Sequence, residues 1–175
     1  MSEGRKFYGK YRGTVINNID PEMLGRIQSI VPAVSNVAPT SWAMPCVPIA
    51  GKQEGIFAVP QLGSAVWIEF ESGDPDKPIW VGGFWGIAAE VPAFGLVPPP
   101  IPPGQNIVLQ TTLQNTVLIS DAAPSPLTGG IILRSATGAM LVVNDVGIFI
   151  QNGKGASLTM VGPAVDINMG ALTVI

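Results

Sequence analysis

Acidic side chains are the residues of this sequence whose types and spacing could support catalysis. Asp121, Asp145 and Asp166 are spread along the second half of the chain, and a pair of carboxylates is the machinery of glycoside hydrolysis. Asp145 lies beside a turn glycine and Asp166 alternates with apolar neighbours, so both are expected to face solvent. Histidine, the commonest general base, is absent from the sequence. The sequence therefore predicts no catalytic residues, and a polysaccharide-degrading β-helix is kept only as a third possibility.

A second acidic group consists of Glu69, Glu71, Asp74 and Asp76. Carboxylate oxygens at this density are potential Ca²⁺ ligands. Their spacing matches neither the EF-hand loop nor the glycine-rich calcium repeats of β-helical proteins. We therefore expect a solvated hairpin end, with no bound metal and no cofactor.

Aromatic side chains could form a platform on which nucleic-acid bases stack. That mode of binding uses a cationic groove, whereas the net charge is −3 and the isoelectric point is about 4.8. We assign the aromatic residues to a barrel core and a subunit interface instead, and nucleic acid is not predicted as a ligand. They are Phe7, Tyr8, Tyr11, Trp42, Trp67, Trp80, Phe84 and Trp85.

The composition favours an all-β protein. Glycine (21) and proline (17) are abundant while charged residues make up 12% of the chain, which is typical of many short strands joined by turns. The lone Cys46 excludes an intrachain disulfide and fits synthesis in the cytoplasm. No signal peptide or membrane-spanning stretch is expected.

A hairpin is the clearest element of the first half. Residues 66–70 alternate between apolar and other side chains, the pattern of a half-buried strand. Residues 72–78 are rich in turn formers, and a return strand follows over 79–84. The motif that defines this hairpin consists of Gly63, Gly73, Asp74, Pro75, Pro78 and Gly82.

Three more strands are predicted before this hairpin, over residues 10–17, 26–31 and 44–50. Residues 32–44 are expected to form a loop, and the prolines of the third strand confine it to an edge. Five short strands without helical periodicity predict a small closed barrel in residues 1–86.

Residues 87–106 are predicted to be a linker between two domains. Six prolines lie between positions 92 and 103, and consecutive prolines favour an extended polyproline II spacer. A ligand for a proline-reading module is the alternative.

From Asn106 onward glycine recurs at intervals of seven to nine residues, with short predicted strands between. An eight-residue repeat of strand and turn is typical of a β-solenoid, but one strand per repeat presents an apolar face that a single chain cannot bury. We therefore predict that residues 107–175 form an intertwined triple-stranded β-helix in a homotrimer, with the strands of three chains interleaved. The recurring glycines are Gly130, Gly138, Gly147, Gly155, Gly162 and Gly170.

Alternation within these strands selects the side chains that would fill the trimer interior. Val165, Ile167 and Met169 are assigned to one face, and Asp166 and Asn168 to the other. The predicted trimer core consists of Ile148, Ile150, Leu158, Met160, Val165, Ile167, Met169, Leu172 and Val174.

The two halves together resemble one known family. The hairpin, with Gly73-Asp74-Pro75 in its turn and a glycine-rich exit, is similar to the oligonucleotide/oligosaccharide-binding (OB) barrel of contractile-tail central spikes. These are phage baseplate assembly protein V and VgrG-like spike proteins. The eight-residue repeats are similar to the trimeric β-helix of the same spikes, and both matches occur in the family's order.

The resemblance implies a spike that punctures a target envelope, with transient membrane contact, when a contractile sheath shortens. It implies a component of an assembled phage tail, R-type bacteriocin, type VI secretion system or extracellular injection particle. The barrel would dock on a baseplate hub protein. The alternative is an oligonucleotide- or glycan-binding OB module with a β-helical trimerisation tail.

The last residues are expected to form a docking face. Some spikes of this family end in a point where histidines hold iron, and this chain has no histidine. A blunt end with unpaired strand edges and apolar side chains needs a cover. We predict that a PAAR-like tip protein, supplying any metal, docks on Leu172, Thr173, Val174 and Ile175.

Overall fold

The computed structural model describes residues 5–96 and 106–174, with side chains up to Leu172. The protein is all-β, apart from one short helix and three 3-10 turns among the described residues. The chain divides into two compact units, residues 1–86 and 87–175. Each unit has a hydrophobic core of its own.

The N-terminal unit is a small barrel. Its strands are β1 (Tyr11–Asn17), β2 (Gln28–Ile30), β3 (Met44–Pro45), a separate hairpin of β4 (Ala50–Gly51) and β5 (Glu54–Gly55), β6 (Ala65–Phe70) and β7 (Pro78–Gly83). The five-stranded sheet has the order β2-β1-β6-β7-β3. Bridges between Ile27 and Ala43 and between Ile30 and Pro39 join the β2 segment to the segment that leads into β3. Because β3 also pairs with β7, this segment closes the sheet.

Strand alternation fills the barrel interior. On β6, Val66, Ile68 and Phe70 are buried while Trp67 and Glu69 are half-buried. The buried indole N–H of Trp80 donates a hydrogen bond to the carbonyl of Gly25, so its polar atom is satisfied. The rest of the core comes from Phe7, Val15, Ile27, Val31 and Ala43.

Two segments of the barrel differ from the sequence prediction. The strand predicted over 44–50 is limited to Met44–Pro45, and the chain then turns into the β4–β5 hairpin. Pro45 and Pro48 cannot donate to a strand ladder, which explains the early end. Part of the predicted loop forms a short helix, α1 (Pro32–Ser35), whose proline lies in the first turn, where no N–H is required.

The loop between β1 and β2 is organised by Asp20. Its carboxylate accepts hydrogen bonds from the backbone N–H groups of Glu22, Leu24 and Arg26 and from the Arg26 guanidinium. The Asp20 side chain is 3% exposed. The guanidinium, together with these N–H groups, holds the pKa of the Asp20 carboxyl well below its ordinary value of 3.8, because the bonds favour the charged form.

The C-terminal unit is an eight-stranded antiparallel sheet in which each strand pairs with the strands before and after it. Its strands are β8 (Asn106–Gln110), β9 (Thr116–Ser120), β10 (Gly130–Arg134), β11 (Met140–Asn144), β12 (Gly147–Gln151), β13 (Ser157–Val161), β14 (Ala164–Ile167) and β15 (Leu172–Val174). This pairing differs from the expected interleaving of strands from three chains. The β11–β12 and β13–β14 turns have only two residues each, and turns of this length make successive strands antiparallel neighbours.

The strand predicted to run through Met169 ends earlier. β14 stops at Ile167, and Asn168 and Met169 both have positive φ in the turn that follows. Met169 is 85% exposed, so its assignment to the same face as Val165 and Ile167 is wrong. A positive φ ends the alternation of a strand, and sequence alternation alone does not show where that happens.

The predicted linker is described only in part. Residues 87–96 contain two 3-10 turns, Ala88–Glu90 and Ala93–Gly95, rather than an extended spacer. Asn106, the last residue of the predicted linker, already begins β8. Residues 97–105, which hold most of the prolines, lie outside the described residues.

Glycine permits close stacking of turns along one edge of the C-terminal sheet. Gly153 has a φ of 72°, and a Cβ there would lie 2.8 Å from both the Thr137 carbonyl oxygen and the Gly138 carbonyl carbon. Gly155, in the same turn, has a φ of 104° but no atom within 4 Å of the corresponding position. Both glycines therefore have a left-handed backbone, but only Gly153 lacks room for a side chain.

We expect Gly153→Ala to destabilise the C-terminal unit more than Gly155→Ala. Both substitutions force a left-handed alanine, which costs about 1–2 kcal/mol, but Gly153→Ala also meets backbone atoms of the neighbouring turn. Thermal unfolding followed by circular dichroism measures the difference. Equal losses for the two variants would contradict the close approach of the turns.

We expect Asp20→Asn to lower the unfolding midpoint of the N-terminal unit at pH 7. A carboxyl with a depressed pKa stabilises the fold above its ordinary pKa of 3.8 and loses this effect as the pH falls below that value. The difference from the unsubstituted protein should therefore shrink in acid. Tryptophan fluorescence measures it selectively, since all four tryptophans lie within residues 1–86.

The matched control is Glu22→Gln, because Glu22 pairs with the same Arg26 from a side chain that is mostly exposed. An exposed ion pair contributes little, so this variant should unfold close to the unsubstituted midpoint. If Glu22→Gln lowered the unfolding midpoint more than Asp20→Asn, Glu22 rather than Asp20 would be the carboxylate that stabilises the loop.

Candidate trimerisation surface

One face of the C-terminal sheet carries two unbroken rows of apolar side chains. Each strand from β8 to β14 contributes one residue to each row, and strand pairing places them side by side. The first row is Ile107, Ile119, Ile131, Val143, Ile148, Met160 and Val165. The second row is Leu109, Val117, Leu133, Leu141, Ile150, Leu158 and Ile167, and Leu172 on β15 continues it. We call this surface the apolar face.

The single chain leaves the apolar face uncovered. Leu109 is 68% exposed, and every other residue of the two rows is exposed or half-buried. Full burial of such a side chain stabilises by about 1.5–3 kcal/mol, so covering each of these gains on the order of 1 kcal/mol. A surface of this extent marks an interface.

The chain does cover the opposite face near the start of the unit. The central residues of β9 to β12, Leu118, Ile132, Val142 and Phe149, are buried there, with Phe94 packed against them. The loop 121–129 lies over the same side, since Leu127 and Phe94 line one small cavity with Leu118 and Ile132. The side-chain amide of Asn144 donates hydrogen bonds to carbonyls of this loop.

Further along the sheet the opposite face becomes polar. The positions that follow Phe149 across the ladder are Thr159 and Asp166, both half-buried. A polar outer face needs no cover, whereas the apolar face remains apolar through Leu172. The polar part of the opposite face can therefore remain in water, whereas the apolar face needs contact with other chains.

The dimensions of the sheet suit a three-sided arrangement. Five-residue strands make a ribbon roughly 17 Å wide, with two apolar side chains across its width. Three such ribbons arranged around an axis bury their apolar faces against one another. Their backbone ladders are already complete within each chain, apart from the outer edges of β8 and β15.

Comparison with protein families decides what the two units are. Residues 11–85 match the type VI secretion system/phage-baseplate injector OB domain. Residues 106–173 match the phage baseplate V C-terminal trimerisation domain. The chain belongs to the phage baseplate V family of spike proteins. No curated protein matches its sequence.

The family places the spike protein in a baseplate injector as a structural component, and its C-terminal unit is a trimerisation domain. The spike is therefore a homotrimer and part of a phage-like or secretion particle. The apolar face is the surface that one chain cannot cover, and we therefore propose it as the contact between the chains of the trimer.

The structure places most of the predicted core residues on the apolar face. Ile148, Ile150, Leu158, Met160, Val165, Ile167 and Leu172 lie in its two rows. Val174 is opposite Val165 in the strand register, and its side chain lies outside the described residues. Met169 lies in a turn instead. The predicted core lacks the earlier residues of the rows, although the same alternation is present in 107–109 and 116–120.

The hairpin motif residues shape the turns of the spike's barrel. Gly63 and Gly73 have φ values of 82° and 74°, which only glycine adopts freely. The Asp74 carboxylate accepts a hydrogen bond from the Asp76 N–H across the turn that contains Pro75. Pro78 begins β7, and Gly82 lies at an irregularity in the β6–β7 register.

The predicted tip-docking residues are described only in part. β15 (Leu172–Val174) is the outer strand of the sheet, with Leu172 exposed. The side chains of Thr173 and Val174, and all of Ile175, lie outside the described residues.

The three aspartates of the C-terminal unit that suggested a carboxylate pair are dispersed. Asp145 lies in the β11–β12 turn, Asp121 follows β9, and Asp166 is on the polar side of β14. Within residues 5–96 and 106–174, no group of three acidic or cysteine side chains could hold a metal ion. No helix in the described part of the chain is long and apolar enough to cross a bilayer.

We expect Leu158→Asp to prevent trimer assembly and Thr159→Asp to permit it. The two residues are neighbours on β13 and equally half-buried in the single chain, but they point to opposite faces. Leu158→Asp would bury three carboxylates in the trimer interior, at a cost of several kcal/mol each. Native mass spectrometry distinguishes a trimer from the 18.2 kDa chain. If Leu158→Asp still formed a trimer and Thr159→Asp did not, the face that carries Thr159 would be the trimer interior.

Proposed function

We propose that this protein is the central spike of a contractile injection particle and that it punctures the target envelope when the sheath contracts. The observation that carries the proposal is the pair of apolar rows that run without a polar interruption from β8 to Leu172. Three sheets closed over such rows would make a dry prism whose backbone is hydrogen-bonded apart from the outer edges of β8 and β15. Stiffness along the axis is the property that penetration requires.

The length of this prism is consistent with penetration. Eight strands spaced at about 4.8 Å give a needle of roughly 35 Å. The hydrocarbon core of a bilayer is about 30 Å thick. The spike would thus reach across the barrier as a rigid body, with transient contact to lipid.

We assign hub docking to the N-terminal barrel, residues 1–86, and penetration to residues 107–175. The barrel has its own core and a complete strand order, so it can bind a baseplate hub protein independently of the prism. Its match to an injector OB domain supports this assignment.

We assign a PAAR-like tip protein to the C-terminal end of the prism. β15 is an outer strand, and an uncovered strand edge is prone to pair with another chain. The chain has no histidine with which to build a metal-bound point. The tip protein would therefore pair with residues 172–175 and supply any metal.

The same assignment makes the protein structural rather than enzymatic. It contains no histidine, and Asp121, Asp145 and Asp166 lie on separate turns and strands. Phage tails, R-type bacteriocins, type VI secretion systems and extracellular injection particles all use spikes of this family. The genes beside this one would distinguish them.

The proposal is tested by deleting the gene in its source and restoring it with variants. We expect the full chain and Thr159→Asp to restore particles that permeabilise target cells, and Leu158→Asp to fail because the prism cannot close. A chain that lacks residues 172–175 should restore the spike but not the bound tip protein. Particles that assemble and permeabilise cells without any spike gene would overturn the proposal.

A further inference from the structure

The covered part of the opposite face contains a small cavity that the chain itself leaves open. Its volume is about 110 Å³, and strands β9 and β10 form its floor. Leu118 and Ile132 are buried in this floor, while Phe94 and Leu127 line the cavity from the covering segments. The middle of the cavity is therefore apolar, and Arg134 is the one charged residue in its described lining.

Strand register places polar groups at both ends of the cavity. Arg134 pairs with Thr116 in the β9–β10 ladder, Ile132 pairs with Leu118, and Ser120 follows two residues further along β9. Thr116 and Ser120 also line the cavity, and each is only 6% exposed. A ligand that fits must therefore have an apolar body and a polar group beside Arg134.

The charge of Arg134 selects an anion. Its guanidinium carbon lies 5.2 Å from the centre of the Phe94 ring, and because Arg134 is exposed it lies at the cavity opening. The ion pairs among the described residues involve Lys10 and Arg26 and leave Arg134 without an acidic partner. The planar fork of a guanidinium matches the two oxygens of a carboxylate. No described lining residue is acidic, so nothing in this lining repels such a group.

Hydrogen bonds fix both covering segments before any ligand arrives. The side-chain amide of Asn144 donates to the carbonyls of Thr128 and Gly129, which holds the loop 121–129 over the sheet. The side-chain amide of Asn106 donates to the carbonyl of Phe94 at 2.9 Å. A preorganised cavity loses little conformational entropy when it binds.

The volume limits the size of the apolar body. A dry protein cavity of about 150 Å³ holds one benzene molecule. The 110 Å³ of this cavity therefore suits about four carbon atoms, which is the size of an isobutyl group.

We propose that this cavity binds a carboxylate that carries a short branched apolar group. The apolar group lies between Leu118 and Phe94, and the carboxylate accepts hydrogen bonds from the Arg134 guanidinium. A free short-chain acid has this chemistry, and so does the C-terminal residue of a polypeptide that ends in leucine. The site belongs to the C-terminal unit alone and does not depend on the puncturing role.

Methyl NMR of the full-length trimer tests the site, with ¹³C at the methyl groups of the six methionines. Met140 lines the cavity, whereas Met160 lies on the apolar face and Met23 in the barrel. Isovalerate, titrated at constant ionic strength, should shift the Met140 signal to saturation and leave the signals of Met160 and Met23 in place. The Met140 signal is identified by its loss in Met140→Leu.

Two further ligands separate the contributions of charge and apolar area without any substitution in the protein. Acetate keeps the carboxylate and lacks three carbon atoms, so it should bind about tenfold more weakly or worse. Isoamyl alcohol keeps the apolar group and lacks the charge, and it should also lose about tenfold or more.

Arg134→Gln should weaken isovalerate binding by about tenfold or more, because it removes the charge at the opening. Lys154→Gln is the matched control, since it removes the same charge from the exposed β12–β13 turn, outside the cavity lining. It should bind isovalerate as the unsubstituted protein does. Native mass spectrometry and circular dichroism confirm that both variants remain folded trimers.

N-acetyl-leucine, which imitates the end of a polypeptide, distinguishes the two sources. Saturable binding of both carboxylates would support a polypeptide end, and binding of isovalerate alone would support a free acid. A Met140 signal that neither carboxylate moves would overturn the proposal and leave Arg134 as a cover for Phe94. So would equal binding of acetate and isovalerate, or unchanged isovalerate binding in a folded Arg134→Gln trimer.

Discussion

The need to cover one apolar face of the C-terminal sheet governs the architecture of this spike. Strand pairing within each chain satisfies the backbone of β8 to β15, so hydrogen bonding does not require a second chain. The side chains do, because fourteen positions in two rows, from Ile107 to Ile167, present apolar atoms to water. Removal of that area from water is the driving force for assembly.

Backbone hydrogen bonds stabilise the sheet within each chain, whereas apolar side chains are left to make contacts between chains. Each chain contributes an antiparallel ladder of its own, and we propose that the three ladders pack through their apolar faces. Packed interiors have low compressibility, and the turns that hold Gly138 and Gly153 approach so closely that a Cβ at Gly153 has no room. Such packing would suit the penetrating role proposed for the prism.

The N-terminal barrel differs from the C-terminal sheet in that its core is complete within one chain. Its polar interactions serve to hold loops. Asp20 is the main example, since one carboxylate organises the loop between β1 and β2. Rigid loops suit a surface that must meet partners in a fixed geometry, as a baseplate component does.

The sequence by itself determined the all-β class, the two-part organisation and the facing of Val165, Ile167, Leu158 and Met160, because strand alternation and glycine spacing are local properties. It also led to the family, through the hairpin and the repeats. The tertiary structure alone decided that successive strands pair within one chain, that Asn106 begins a strand and that Met169 leaves it. It also revealed the cover supplied by Phe94 and the cavity beside Arg134. These features depend on which distant segments meet, and on backbone angles that alternation does not encode.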